Sequence, residues 1–523
     1  MLARMKLPYS LVAALLMVLV PLRTAAADDT LRTRVRAFRA VHEARILREL
    51  TDFLTIPNVA ADDANIRRNA AHVIRMLGQR GIKARLLESP AGGPPAVYGE
   101  LRTPGARRTV VMYAHYDGQP VNPAEWASDP WTPVLRRGGP SGETVPLPEP
   151  GQAGQPGQPI DPEVRIYARS ASDDKAPIVA FLVALDALRA AGIKPSVNLK
   201  FFFEGEEEDG SQHLGPLLAR HARLLAADGW IFCDGPRHAS GAFQVVLGVR
   251  GIVGVTMTTF GPARQLHSGH YGNWAPNPIS LLIDLLASMR TADGRVTIAG
   301  LFDDVAPPTA EERAAVAALP DGDAALRQSL ALAESEGKGA RLAERLLLPA
   351  VNFTGIRAGN VGADAVNAIP AEASASIDFR LVPRQTPERV RALVEEHVRK
   401  QGFTIVRDRP SDDVRRKHAR LVQMTWAEGY APLRTPLQHP FAQAVLRVVE
   451  EGSGERPLVV PTFGGSLPLD RFARHLGKPL VIVPMANSDN NQHAANENLR
   501  IQNLWDAIEL YATIFVRLGP LWR

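Results

Sequence analysis

The sequence predicts an α/β protein: a mostly parallel sheet flanked by helices, interrupted by an inserted α+β unit. Three observations carry this. Short, nearly continuous apolar runs at Thr109–Ala114, Val197–Phe203, Trp230–Cys233 and Leu480–Val483 suit strands buried on both faces. Helical patterns at Pro177–Ala191 and His213–Ala226 lie between them, giving the strand-helix alternation of a parallel sheet. From about 248 to 434 the texture changes to alternating strands and amphipathic helices, so this stretch reads as an insertion in a discontinuous first unit.

Taken in order, residues 1–27 read as a signal peptide. Arg4 and Lys6 precede the apolar stretch Leu11–Leu22, and Ala25-Ala26-Ala27 supplies a small-residue cleavage pattern before Asp28-Asp29. That apolar run is shorter than the roughly 20 residues that span a bilayer. The expectation is therefore an exported protein, periplasmic or secreted, with no stable membrane span after processing. Two helices follow, Leu31–Leu54 and Ile66–Leu77. Residues 136–163, rich in Pro and Gly, read as a mobile surface loop. Inside the insertion, Val253–Phe260 and Ala371–Leu381 alternate as half-buried strands, while Pro278–Met289 and Pro387–Gln401 are amphipathic. Leu499–Leu518 closes the chain as a helix.

Composition narrows the function. With 523 residues, 45% hydrophobic and 22% charged, the chain has ample length to bury large cores and is neither disordered nor collagen-like. A single cysteine, Cys233, excludes an intramolecular disulfide framework and a cysteine-rich zinc site. The net charge is +5, but Arg4, Lys6 and Arg23 lie in the expected signal; beyond it 57 basic residues face 55 acidic ones, which is no nucleic-acid signature.

The chemistry follows the buried runs. Thr109–Ala114 is followed by His115 and Asp117, Val197–Phe203 by EGEEEDG, Trp230–Cys233 by Asp234, and Leu480–Val483 leads to His493. Asp173 and Asp174 stand just before a helix. Sites in open α/β sheets form beyond the carboxyl ends of the strands, so these stretches converge there. Two histidines with several carboxylates make the ligand set of a borderline-soft divalent metal, zinc first. Singly, each is weak: a lone histidine after a strand is usually a polar rim residue, and an acidic run is usually a solvated loop. Together they are not, because five acids within Glu204–Asp209 directly follow three phenylalanines, where like charges need compensating cations.

Through YAHYDGQPV, YARSASDDKAP, FFFEGEEEDGS, IFCDG, LHSGHYGN, SIDFRLVP, FGGSLP and DNNQHAANE the chain resembles the co-catalytic di-zinc metallopeptidases of clan MH, which include carnosine dipeptidases, bacterial glutamate carboxypeptidase, aminoacylases and succinyl-diaminopimelate desuccinylase. The resemblance implies two zinc ions per chain, with cobalt or manganese as alternatives. His115 and Asp234 would bind one, Glu208 and His493 the other, and Asp173 would bridge them. It implies Glu207 as the general base, Asp117 as the group orienting His115, and a cis peptide between Asp173 and Asp174. Arg380, on the polar face of its strand, would meet the substrate carboxylate. His267 would reach the active site of the partner subunit in a homodimer formed through the insertion. The domains are then a catalytic domain at 28–247 and 435–523 and a lid and dimerisation domain at 248–434.

The chain departs from the family pattern in places. Ala168, Ser170 and Ala176 stand where relatives carry glycines, Glu206 and Asp209 crowd the Glu207–Glu208 pair, and GYAP closes the insertion where some dipeptidases have a histidine. The GGSLP turn, with Gly465 and Ser466, suits close approach of backbone to a substrate; an ordinary tight turn fits the residues equally. The function expected is a zinc exopeptidase cleaving short peptides with a free C-terminal carboxylate through a metal-bridging water. The alternative is an N-acyl amino acid deacylase using the same centre. A non-catalytic binding protein on the same fold is a third reading, against which the intact Glu207 and ligand set argue.

Overall fold

The structure, a computed structural model, describes residues 23–149, 159–337 and 339–522. Its largest sheet has eight strands in the order Lys83–Leu87, Ala96–Leu101, Asn198–Glu204, Thr109–His115, Gly229–Phe232, Leu480–Ile482, Gln244–Val246 and Leu458–Val460. The four central strands run parallel, while the outer pairings on one side are antiparallel.

The sequence explains the layering. Phe201 and Phe203 face the helix Lys175–Ala190 and pack on Phe181, whereas Phe202 points the opposite way onto Trp230 and Phe472. Three consecutive apolar residues are thus needed because both faces are covered. The Lys175–Ala190 helix is apolar almost all round and buried from Lys175 to Leu185, packed with the helices Arg23–Leu54 and Ile501–Leu521 in the main core. Helix Asp63–Gln79 starts where Asp62 accepts a hydrogen bond from the Asn65 amide.

A second sheet is built from Ala350–Arg357, Glu372–Leu381, Gly251–Phe260, Leu421–Trp426 and Thr404–Val406, in that order. All five lie in sequence between two neighbouring strands of the first sheet, Gln244–Val246 and Leu458–Val460. Val253, Val255 and Met257 form one core with the helices Pro278–Met289 and Pro387–Lys400, leaving the faces of Ile252, Thr256, Ser376 and Arg380 less buried. Helix Pro387–Lys400 is capped by Thr386, which accepts from the Arg389 amide.

The expected mobile loop at 136–163 is corrected in part. Val134–Arg137 pairs with Glu143–Val145 and with Arg165–Tyr167 in a small antiparallel sheet, because Gly138 and Gly139, both at positive φ, close a turn between the first two. Ile160 is buried and its amide donates to Glu43. Residues 150–158 lie outside the described residues, as do 1–22 of the expected signal peptide. Among the described residues no helix is long and apolar enough to cross a membrane.

Candidate metal and catalytic centre

Five stretches meet beyond the carboxyl edge of the parallel strands. His115 is the last residue of its strand, Glu207 and Glu208 lie in the turn after Asn198–Glu204, and Asp234 follows Gly229–Phe232 by two residues. Asp173 precedes the helix Lys175–Ala190, joined to Asp174 by a cis peptide. His493 sits in the long loop after Leu480–Ile482, at φ +62.

The side chains interlock. His115 is fully buried, its Nε2 2.9 Å from Asp173 Oδ1 and 3.9 Å from Asp234 Oδ2. Its Nδ1 lies 3.3 Å from Asp117 Oδ1, so Asp117 faces the ring nitrogen opposite the one turned to the carboxylates. The same Asp117 carboxylate accepts the amides of Glu207 at 3.1 Å and Glu208 at 3.0 Å, fixing the acidic turn. His493 Nε2 stands 3.2 Å from Asp173 Oδ2 and 3.1 Å from Glu208 Oε2, and Gln119 donates to that Glu208 oxygen at 2.8 Å. Ligand atoms of His115, Glu207 and Asp234 lie within 4.8 Å of one another, as do those of His115, Asp173 and Glu208.

The rest of the acidic run turns away. Glu204 accepts from the Tyr113 hydroxyl, Glu206 meets His213 Nδ1 at 2.6 Å, and Asp209 accepts from Gln212. Of the five acids, Glu207 and Glu208 are left facing the cluster.

Electrostatics sharpen the picture. Burial pushes Asp234 up to about 7 and Glu207 well above the ordinary carboxylate range; burial also raises Glu208. Burial alone would depress His115, but its hydrogen bonds to Asp117 and Asp173 outweigh this and raise it. Hydrogen bonds to Asp173 and Glu208 lift His493 to about 10. Carboxylates crowded this way demand positive charge, and the buried Asp173 Oδ2 meets the His493 ring nitrogen at 3.2 Å. The donor set of imidazoles and carboxylates fits a divalent cation of the zinc type.

Glu497 is a residue the sequence reading passed over. Fully buried, it accepts from Arg169 Nη1, the amides of Ser170, Ser172 and Asp173, and Ser172 Oγ, at 2.9–3.0 Å. It therefore shapes the turn that carries Asp173 and includes Ser170. Ser170 takes φ +62 there, a strained conformation held by these bonds.

A second group gathers at the near end of the second sheet. Arg380 Nη1 donates to Ser466 Oγ at 2.9 Å, while its Nε and Nη2 donate to Asp378 Oδ2. Arg250, also unread in the sequence, donates twice to the Gly464 carbonyl. Gly465 has open space around the position of a side chain. Tyr430, of GYAP, lies opposite Ile252 on the side away from Arg380, since Ile252 pairs with both; burial and the Glu207 charge raise its hydroxyl.

His267 is not brought to the cluster within one chain. It is exposed, accepts from the Gly269 amide and lies tilted against the His270 ring with centroids 4.4 Å apart.

The model of peptidase family M20/M25/M40 matches residues 143–517. The chain belongs to this family. It is a metal-dependent hydrolase acting on peptide bonds. The M20 chain is similar to Cys-Gly metallodipeptidase dug1 of Schizosaccharomyces pombe, 27% identical over 434 residues that cover 82% of this chain and 83% of that protein. It is also similar to Beta-Ala-His dipeptidase of Rattus norvegicus, 24% identical over 465 residues covering 86% and 87%. Among solved structures, the M20 family metallo-carboxypeptidase Sso-CP2 from Sulfolobus solfataricus matches with a TM-score of 0.74 at 28% identity, over 91% of this chain and 99% of that one.

The comparisons overturn one expectation. The similar Dug1 enzymes are cytosolic, so the reading of this M20 chain as exported, periplasmic or secreted falls. The structure supplies a physical reason: Ala25–Ala27 lies inside the continuous helix Arg23–Leu54, and alanine, read as a cleavage signal, is equally the best helix former.

Proposed function

We propose that the chain is a dinuclear zinc exopeptidase that cleaves short peptides with a free C-terminal carboxylate. The observation that carries this is the meeting of His115, Asp173, Glu207, Glu208, Asp234 and His493 at one sheet edge, with Arg380 and Ser466 bonded together at the neighbouring wall. His115 and Asp234 would hold one ion, Glu208 and His493 the other, with Asp173 between them. Bound zinc supplies an electrophile for the scissile carbonyl and lowers the pKa of water.

The protein's own groups do the rest. Glu207, grouped with His115 and Asp234 in the cluster, takes the water proton as a carboxylate and returns it to the leaving nitrogen. Asp117 holds both Glu207 and Glu208 by their amides and steadies His115. Arg380 and Ser466 would receive the terminal carboxylate: Asp378 takes Nε and Nη2 of the guanidinium, so an anion would meet Nη1 together with the Ser466 hydroxyl bonded to it.

The functional unit is read as a homodimer through the 248–434 domain, with residues 28–247 and 435–523 as the catalytic domain. Ala350–Arg357 is an edge strand on which Ile356 is 62% exposed, and Trp274, Val361 and Val366 of the same domain are 80%, 86% and 58% exposed. An apolar open edge of this kind is normally covered, and a second copy would bring its His267 to the metal centre.

The test is hydrolysis of a panel of dipeptides, their C-terminal amides and N-acetyl amino acids by zinc-loaded protein. Cleavage of the free dipeptides with poor cleavage of the amides supports the reading; cleavage confined to N-acetyl amino acids replaces it with a deacylase.

A further inference from the structure

Two guanidinium groups at the proposed substrate wall stand near one carboxylate, and Arg380 alone of the two bonds it. Asp378 is fully engaged: its Oδ2 accepts from Arg380 Nε and Nη2, and its Oδ1 accepts from Asn352 at 2.6 Å. Arg250 has the Gly464 carbonyl alone, through Nε and Nη2, and its Nη1 has no hydrogen-bond partner among the described residues. Burial and the neighbouring Arg380 charge pull Arg250 down to about 10, as expected of a cation short of an anion.

The positions are set by the sheet. Ile252 pairs with Arg380 across the antiparallel ladder, and Arg250 stands just before that strand begins at Gly251. The Gly464–Ser466 turn touches both arginines. Arg250 also lines an open cavity of about 900 Å³, whose wall includes Arg345, Leu346 and Asn352. Leu346 approaches to 3.1 Å of where a Gly464 side chain would begin, so the cavity abuts the turn itself. The four acids that line it each have a partner of their own: Glu336 pairs with Arg290, and Asp323, Asp321 and Asp293 accept from the Leu342 amide, the Asp323 amide and the Thr291 hydroxyl.

We propose that this cavity is the side-chain pocket for a substrate whose terminal residue carries two carboxylates, Asp or Glu. Arg380 and Ser466 take the α-carboxylate, and Arg250 Nη1 takes the side-chain carboxylate. This rests on the exopeptidase reading and names its substrate class. The second anion supplies the charge that Asp378 cannot, and an uncharged isostere leaves Arg250 unpaired at the same desolvation cost.

The experiment compares kcat/KM for Ala-Glu, Ala-Gln and Ala-Leu on zinc-loaded protein, then on Arg250→Met and Arg250→Lys. Wild type should prefer Glu over Gln by on the order of tenfold to a hundredfold. Arg250→Met should bring the ratio near one, and Arg250→Lys should retain part of it. A ratio within one variant is insensitive to general damage, and the wild-type ratio needs no variant. Equal rates for Ala-Glu and Ala-Gln in wild type, or an undiminished preference in Arg250→Met, overturn the pocket. Failure to cleave any of the three contradicts the exopeptidase reading instead.

Discussion

Glu207 and Glu208 are adjacent in sequence and, in the proposed mechanism, opposite in task. Both amides are pinned by Asp117, but the Glu208 carboxylate meets His493 and Gln119, while Glu207 groups with His115 and Asp234. Glu207→Gln should lower kcat by about 10²–10⁴-fold with metal content nearly intact; Glu208→Gln should instead lose metal. Metal analysis beside turnover checks this, and exchanged phenotypes would exchange the roles. Arg380→Lys keeps the charge and loses the planar fork, so kcat/KM should fall about tenfold for free dipeptides and much less for their amides. Equal losses would make Arg380 structural. At this scale the sequence was legible where a residue sits at or just beyond the end of a buried apolar run, as His115 and Asp234 do. It was not legible where a role depends on distant partners: Glu497 bonds residues more than 320 positions away, and Arg250 is defined by a carbonyl 214 positions on.

Among the elements, the turn 168–174 bears the most constraint. It carries Asp173, whose two oxygens meet His115 and His493, holds Ser170 at positive φ and is anchored by one buried acid, Glu497, paired with Arg169. Removing one member of a buried pair strands the other, so Glu497→Ala should cost about 3–5 kcal/mol and lower metal affinity with it; denaturant titration of the metal-free protein measures the first part. A change under about 1 kcal/mol would show that the turn holds its shape without Glu497. The buried strands and amphipathic helices were readable because period and burial agree: Thr109–His115 and Pro278–Met289 stand where apolar runs and stripes place them. Lys83–Leu87, half exposed at the sheet edge, and the short helices between Ala310 and Arg345 carry no such pattern. The hairpin after Val134 was hidden by its glycines, which mark a turn as readily as a loose loop.

For the whole molecule, the proposed function draws on a second copy of the chain: the His and carboxylate cluster lies within one chain, and His267 does not reach it. His267 is solvent-facing and apart from the cluster, on the domain whose apolar surface is exposed. Mixing inactive His267→Ala with inactive Glu207→Gln chains under subunit exchange should restore part of the activity, because each hybrid dimer contains one site with both wild-type residues. No recovery despite proven exchange would place His267 outside the reaction. The exported location read from the first 27 residues did not survive, since an alanine run at a chain's start suits a helix as well as a cleavage site. The two-sheet architecture did, because buried and half-buried strands leave different patterns. The most direct test of the central claim is metal content measured beside dipeptide hydrolysis, before and after chelation. The account predicts about two zinc ions per chain, activity lost with their removal and regained when zinc is returned. Full hydrolysis by metal-free protein would contradict it.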